Sequence, residues 1–91
     1  MMNQVIIIGR LVDLFEEEFV LRVARTYKNE NGEYDHDDVP VEMGKSIHDN
    51  MIEYCKVGDT VAVKGRLESV TGNLYVVVDK LTFLSSAKGG E

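Results

Sequence analysis

The chain has 91 residues, 44% of them hydrophobic and 29% charged, with a formal net charge of -6. That length and balance make one soluble globular domain with a modest core. The acid excess argues against a protein coated all over in nucleic acid, because counterion release needs lysine and arginine; ten such residues remain to build a local stripe.

The first predicted strand runs from about Val5 to Leu11, since Val and Ile suit a pleated, half-buried surface. Val12 to Glu18 is a connection carrying three consecutive acids, Glu16, Glu17 and Glu18. The second strand, Phe19 to Tyr27, alternates, with Phe19, Leu21 and Val23 on one face and Arg22 and Thr26 on the other. Lys28 to Glu33 is a turn, and its Asn31-Gly32 pair supplies the positive-φ positions of a hairpin. The third strand, about Tyr34 to Met43, is polar, and Pro40 consigns it to an edge or a bulge.

Ser46 is the predicted helix N-cap, with Asp49 three residues on in a capping-box arrangement. The helix runs to about Cys55. Ile47, Met51, Tyr54 and Cys55 recur at helical spacing and form one buried stripe, joined in the core by Phe19 and Phe83. Gly58 stops the helix. The fourth strand is Thr60 to Leu67, Thr71-Gly72-Asn73 is a turn, and the fifth strand is Leu74 to Leu84. Residues 1–85 make the domain, and 86–91 read as a flexible tail.

One phrase occurs twice, as Val5-Ile6-Ile7-Ile8-Gly9-Arg10-Leu11 and as Val61-Ala62-Val63-Lys64-Gly65-Arg66-Leu67. A glycine inside a strand marks a bulge or a sharp bend, and strands that bend are what a small barrel needs. The order β-β-β-α-β-β then matches an all-β fold: a five-stranded, partly open Greek-key barrel of the oligonucleotide/oligosaccharide-binding (OB) kind, with one helix between strands three and four. The alternative is a split α+β sheet with the helix on one face.

Cys55 is the one cysteine, so no intramolecular disulfide forms. With no signal peptide, the chain is expected to be cytoplasmic and reduced. No apolar run approaches the roughly 20 residues of a membrane span. Asp35-His36-Asp37-Asp38, with His48-Asp49, suggests a metal site, but neighbours in an extended run point to opposite faces and converge poorly, so a solvated acidic loop is the better reading. No catalytic pairing and no phosphate-cradling glycine loop stands out, and the sequence implies no cofactor.

At three places the residues resemble the bacterial single-stranded DNA-binding protein family. Met2 to Leu11 is similar to the family's opening. Phe19-x-Leu21-x-Val23-x-Arg25-x-Tyr27 resembles its second strand. Glu53-Tyr54-x-Lys56-x-Gly58-Asp59-x-Val61-Ala62-Val63-x-Gly65-Arg66-Leu67 resembles its helix end and fourth strand. By architecture the chain also looks like the tail-less primosomal replication protein N, which carries the same domain. The resemblance implies an OB-fold, single-stranded DNA as ligand, and self-association into a dimer or tetramer through the first strand. It also implies a stacking role for Tyr27. Three departures stand against it. The family's tryptophan before the helix is replaced by Met43-Gly44-Lys45, two connections are shorter, and the acidic C-terminal tail that recruits replication enzymes is missing.

Binding single strands without sequence preference takes a cationic track for phosphates and aromatic faces for bases. The candidate stacking residues are Tyr27, Tyr34 and Tyr75. The candidate phosphate contacts are Arg10, Arg22, Arg25, Lys28, Lys45, Lys64 and Arg66, with Arg22 and Lys64 a pair on an outward strand face. Ordinary cross-strand aromatics and solvated surface charges would read the same way. The expected function is non-enzymatic single-stranded DNA binding in replication, recombination or transfer. The alternative is an OB-fold assembly module that binds a replication helicase or primase, with weak DNA binding or none.

Overall fold

The Val-Ile run that opens the chain lies against the Val run near its end, with Val5 to Arg10 pairing antiparallel to Gly65 to Thr60. This pairing joins the first and fourth strands of the computed structural model, which describes residues 1–85; the tail expected over 86–91 lies outside the described residues. The elements are β1 (Val5–Leu14), β2 (Glu18–Lys28), β3 (Tyr34–Glu42), α1 (Lys45–Tyr54), β4 (Thr60–Val70) and β5 (Asn73–Ser85). The strands close into a barrel in the order β1-β2-β3-β5-β4. The last join is a parallel pairing of Val41 with Val76 and Glu42 with Val77. The barrel is therefore closed rather than partly open, and the split α+β alternative falls.

Both repeated glycines are places of close strand approach. A side chain at Gly9 would place its Cβ 2.8 Å from the Arg22 carbonyl oxygen, and one at Gly65 would drive into the Val77 carbonyl oxygen. The β4–β5 register shifts between Lys64 and Gly65, as a bend there requires. In β1 the irregularity falls between Leu11 and Asp13 instead, two residues after Gly9. It lets β1 leave β4 and turn onto β2.

Leu11, Phe19, Leu21, Val41, Val61 and Val63 fill the barrel, and Met51 of α1 plugs one end. Burial of this set supplies the main driving force for the fold. Cys55 completes the plug and Ile47 packs beside it. Burial pushes the Cys55 thiol up to about 11, which suits a core residue rather than a nucleophile.

Four local expectations are corrected. The helix starts at Lys45 with Gly44 as N-cap and no side-chain cap, so Ser46 lies inside the first turn. The cause is tertiary: Met43 is buried and its N–H donates to the Glu17 carbonyl, which fixes the entry point before Ser46 is reached. Tyr54 is 63% exposed and Phe83 39%, so neither belongs to the core. The last turn of α1 reaches the barrel rim, where these two rings face each other with centroids 6.1 Å apart. Finally, Gly32 has positive φ but Asn31 does not. Asn29 organises that turn, its Oδ1 accepting from the N–H groups of Asn31 and Glu33. The turn at Thr71-Gly72 does use two positive-φ residues, closing β4 onto β5 as expected.

β2 pairs with β1 only through Phe19 to Arg22, yet with β3 as far as Lys28 opposite Tyr34. The distal halves of β2 and β3 therefore leave the barrel as a two-stranded arm. Pro40 sits opposite Val20 in β3, which has β5 as a second neighbour only at Val41 and Glu42. The edge position expected of Pro40 is what the pairing shows.

Candidate nucleic-acid interface

The alternation of β2 carries Leu21 into the core and Arg22 outward. Register then places Arg22 opposite Arg10 on one side and Asp38 on the other. The Arg22 guanidinium forks onto the Asp38 carboxylate, Nε donating at 2.9 Å and Nη2 at 3.1 Å. Arg25 does the same with Asp37, at 3.2 and 2.8 Å. Asp37 and Asp38 are neighbours in an extended strand and so face opposite ways. With them, the two arginines are held on opposite faces of the arm. The carboxylate hydrogen bond is the chief cause that raises each arginine's pKa, and Tyr27 adds to it at Arg25. Reciprocally, the guanidinium bonds hold Asp37 and Asp38 below their usual pKa. Arg66 is engaged as well, with Nε donating to Glu68 at 2.9 Å and Nη1 paired to Asp79. Three of the four arginines are thus already matched to carboxylates.

Among the described residues, Arg10, Lys28, Lys45 and Lys64 make no ion pair. Lys28 lies over the ring of its cross-strand partner Tyr34, with Nζ 5.8 Å from the centroid. Arg10, Arg22 and Tyr34 line one groove between β1 and the arm, of about 420 Å³, which His36, Ile8 and Thr60 also line. Tyr27 is 62% exposed and Tyr34 58%. The β2–β3 register shifts between Ala24 and Lys28, so Arg25, Thr26 and Tyr27 occupy a bulge. Within the sequence-adjacent trio, Arg25 is paired to Asp37 and stays beside Tyr27, which is exposed in the bulge, while Lys28 sits over Tyr34.

The remaining candidates lie elsewhere. Lys64 faces outward opposite Lys80 on β5 and Ile6 on β1. Arg22 and Lys64 do share the outward side, but Lys64 stands four residues along β4 from the Thr60–Arg10–Arg22 row, roughly 13 Å at strand rise. Lys45 and Arg66 line an open cleft of about 820 Å³ beside α1, among Glu16, Glu17, Glu42 and Asp49. Tyr75 is half-buried on the β4–β5 ribbon, opposite Glu68.

Sequence reasoning did not find the carboxylate partners or Lys80. Alternation about Leu81 would have turned Lys80 outward, whereas the Asp37 and Asp38 pairings needed the β2–β3 register. Among the described residues, no three His, Cys, Asp or Glu side chains converge to hold a metal. No helix among them is long and apolar enough to cross a membrane.

Set against known proteins, the chain is 31% identical to single-stranded DNA-binding protein 1 of Clostridium acetobutylicum, covering 96% of this chain and 97% of that protein. The chain belongs to the single-stranded DNA-binding protein family. It is 29% identical to the single-stranded DNA-binding protein of Streptococcus pneumoniae over 76% of its own length, and spans about half the length of that relative. No family model matches. Two solved structures share the fold. A Plasmodium falciparum SSB complex with ssDNA superposes with a TM-score of 0.69 at 17% identity, covering 93% of this chain and 96% of that one. The mitochondrial single-stranded DNA-binding protein Rim1 of S. cerevisiae gives 0.70 at 18%, covering 97% and 99%. The OB-fold reached from the order of elements is the fold of the family.

Proposed function

We propose that the protein binds single-stranded DNA, largely without sequence preference, using the β2–β3 arm and the groove at its base. The observation that carries this reading is the near full-length match to a protein named for that activity. The geometry supports it with two exposed tyrosines, Lys28 beside one of them, and Arg10 free at the groove. Stacking accepts any base, and the cations reach adjacent phosphates. Arg10, Arg22, Arg25, Tyr27, Lys28 and Tyr34 make the central part of this surface, which takes in both faces of the arm, with Lys64 on the outward face beyond it. Lys45, Arg66 and Tyr75 are contacts of a strand that continues past the arm. The protein acts by binding alone, without bond chemistry, in DNA replication, recombination or transfer in the cytoplasm.

The test is binding of labelled oligothymidine across a salt series. Salt-sensitive binding that prefers single strands to duplex, with the oligonucleotide left intact in the presence of magnesium, is the expected result. No binding at low salt would sink the reading and leave an assembly module for a replication helicase or primase.

Self-association into a dimer or tetramer is part of the same proposal. Ile6 and Ile8 are 69% and 56% exposed on the outward side of β1. The Val5–Gly9 stretch of β1 pairs with β4 on one edge only. An open, apolar strand edge is a liability unless another surface covers it. Light scattering that shows only monomer at tens of micromolar protein would refute this part.

A further inference from the structure

Asp37 and Asp38 contribute no cation or stacking face to the binding surface, yet they hold two of that surface's arginines. A guanidinium fork fits a carboxylate and a phosphate equally well, so whatever occupies the fork excludes the other. Both Arg22–Asp38 and Arg25–Asp37 use two hydrogen bonds, and all four side chains are between 39% and 53% exposed. A phosphate therefore reaches each fork without unpacking any core. Asp38 also stands 4.0 Å from His36, which lines the groove with Arg10, Arg22 and Tyr34.

We propose that Asp37 and Asp38 are built-in competitors for DNA phosphate: their carboxylates occupy the Arg25 and Arg22 forks, and a strand engages these arginines only by displacing them. The inference rests on the single-strand-binding reading above. Each displaced carboxylate stays beside the phosphate that replaced it, so the pair costs affinity in the bound state as well as in the free one. An isolated anion gains nothing else from the trade. A strand that stacks on Tyr27 or Tyr34 at the same time brings its phosphates to the forks at high effective concentration. The device thus favours an extended strand over single anions.

The test is oligothymidine binding by Asp37→Asn and Asp38→Asn at fixed salt. Each variant is expected to bind about three- to tenfold more tightly, the scale of one charge-assisted hydrogen-bonded pair. Each should also steepen the plot of log affinity against log salt by about 0.7 for every further phosphate neutralised. The tighter binding of Asp38→Asn should vanish in an Arg22→Ala background. Glu53→Gln removes the same charge from the exposed side of α1 and should change nothing. The inference is overturned if the wild type binds and the Asp→Asn variants bind no tighter, if their advantage survives Arg22→Ala, or if Glu53→Gln matches it. Should a variant fail to fold, the unaltered protein decides. Saturating oligothymidine should move the carboxyl carbon signals of Asp37 and Asp38 in an NMR spectrum, and signals that stay in place refute the displacement. Wild-type protein that binds no oligothymidine at low salt overturns instead the reading on which the inference depends.

Discussion

The barrel body and the β2–β3 arm are built from the same two strands by opposite means. In the body, β2 offers Phe19 and Leu21, both fully buried, and its neighbours are Leu11, Val41 and the plug from α1. In the arm, the same strand offers Arg22, Arg25, Tyr27 and Lys28, all exposed, and its neighbours are aspartates and a tyrosine. The body is held by apolar area removed from water, which leaves little freedom to change partners. The arm is held by backbone pairing and solvated ion pairs, which exchange partners readily. One strand thus passes from scaffold to candidate ligand surface within four residues, at the point where β1 stops pairing with it.

Breaking the body should have the largest effect. Phe19→Ala leaves a cavity at the centre of the barrel and should cost about 3–5 kcal/mol of stability, measured by denaturant unfolding. Gly65→Ala comes next. The added methyl meets the backbone of β5, which has no flexible side chain to move aside, so a loss of about 1–3 kcal/mol is expected in the same measurement. Both should lower binding only as far as they unfold the protein.

Changes in the arm should show the reverse. Tyr27→Ala should weaken oligothymidine binding by about 1–3 kcal/mol while the melting temperature stays close to that of the wild type. Wild-type affinity in that variant would remove Tyr27 from the interface. Lys28→Ala should cost less, and should reduce the salt slope by roughly 0.7 if it neutralises one phosphate.

The smallest effect concerns acid. Asp37 and Asp38 have native pKa values lowered by their arginine bonds, so the pairs' contribution is complete above the unfolded carboxylate value near about 3.9 and fades as pH falls through the lower native values. Nothing should be lost from this source between about pH 5 and 8. An NMR titration of the carboxyl carbons that places either group above the ordinary carboxylate value would contradict the pairing.

Much of the body was legible because its signals are local. Alternation in Phe19, Leu21 and Val23 marked the inward face of β2, and the two glycines marked where strands come close. Pro40 announced a strand with one free edge. The misses share a cause. Tyr54 has the right angular position on the helix, but the helix's last turn stands at the barrel rim, so its ring covers Phe83 instead of entering the core. Ser46 has the right chemistry for a cap, but burial of Met43 starts the helix earlier. Among the site residues, type and exposure could be guessed from the sequence, whereas partners could not. Arg22 and Arg25 read alike as free cations, and only the register of β3 shows that each already holds a carboxylate.

The sequence by itself determined the order of elements, the inward face of each strand and the glycine positions where the barrel must bend. It could do so because side-chain period and backbone permissiveness act within a few residues of the chain. The tertiary structure alone decided that the barrel closes through two β3–β5 pairs, that the arm stands free of β1, and which charges face which. These outcomes depend on register between strands far apart in the chain. A shift of one residue in β3 would turn each of its side chains to the opposite face and leave the composition unchanged.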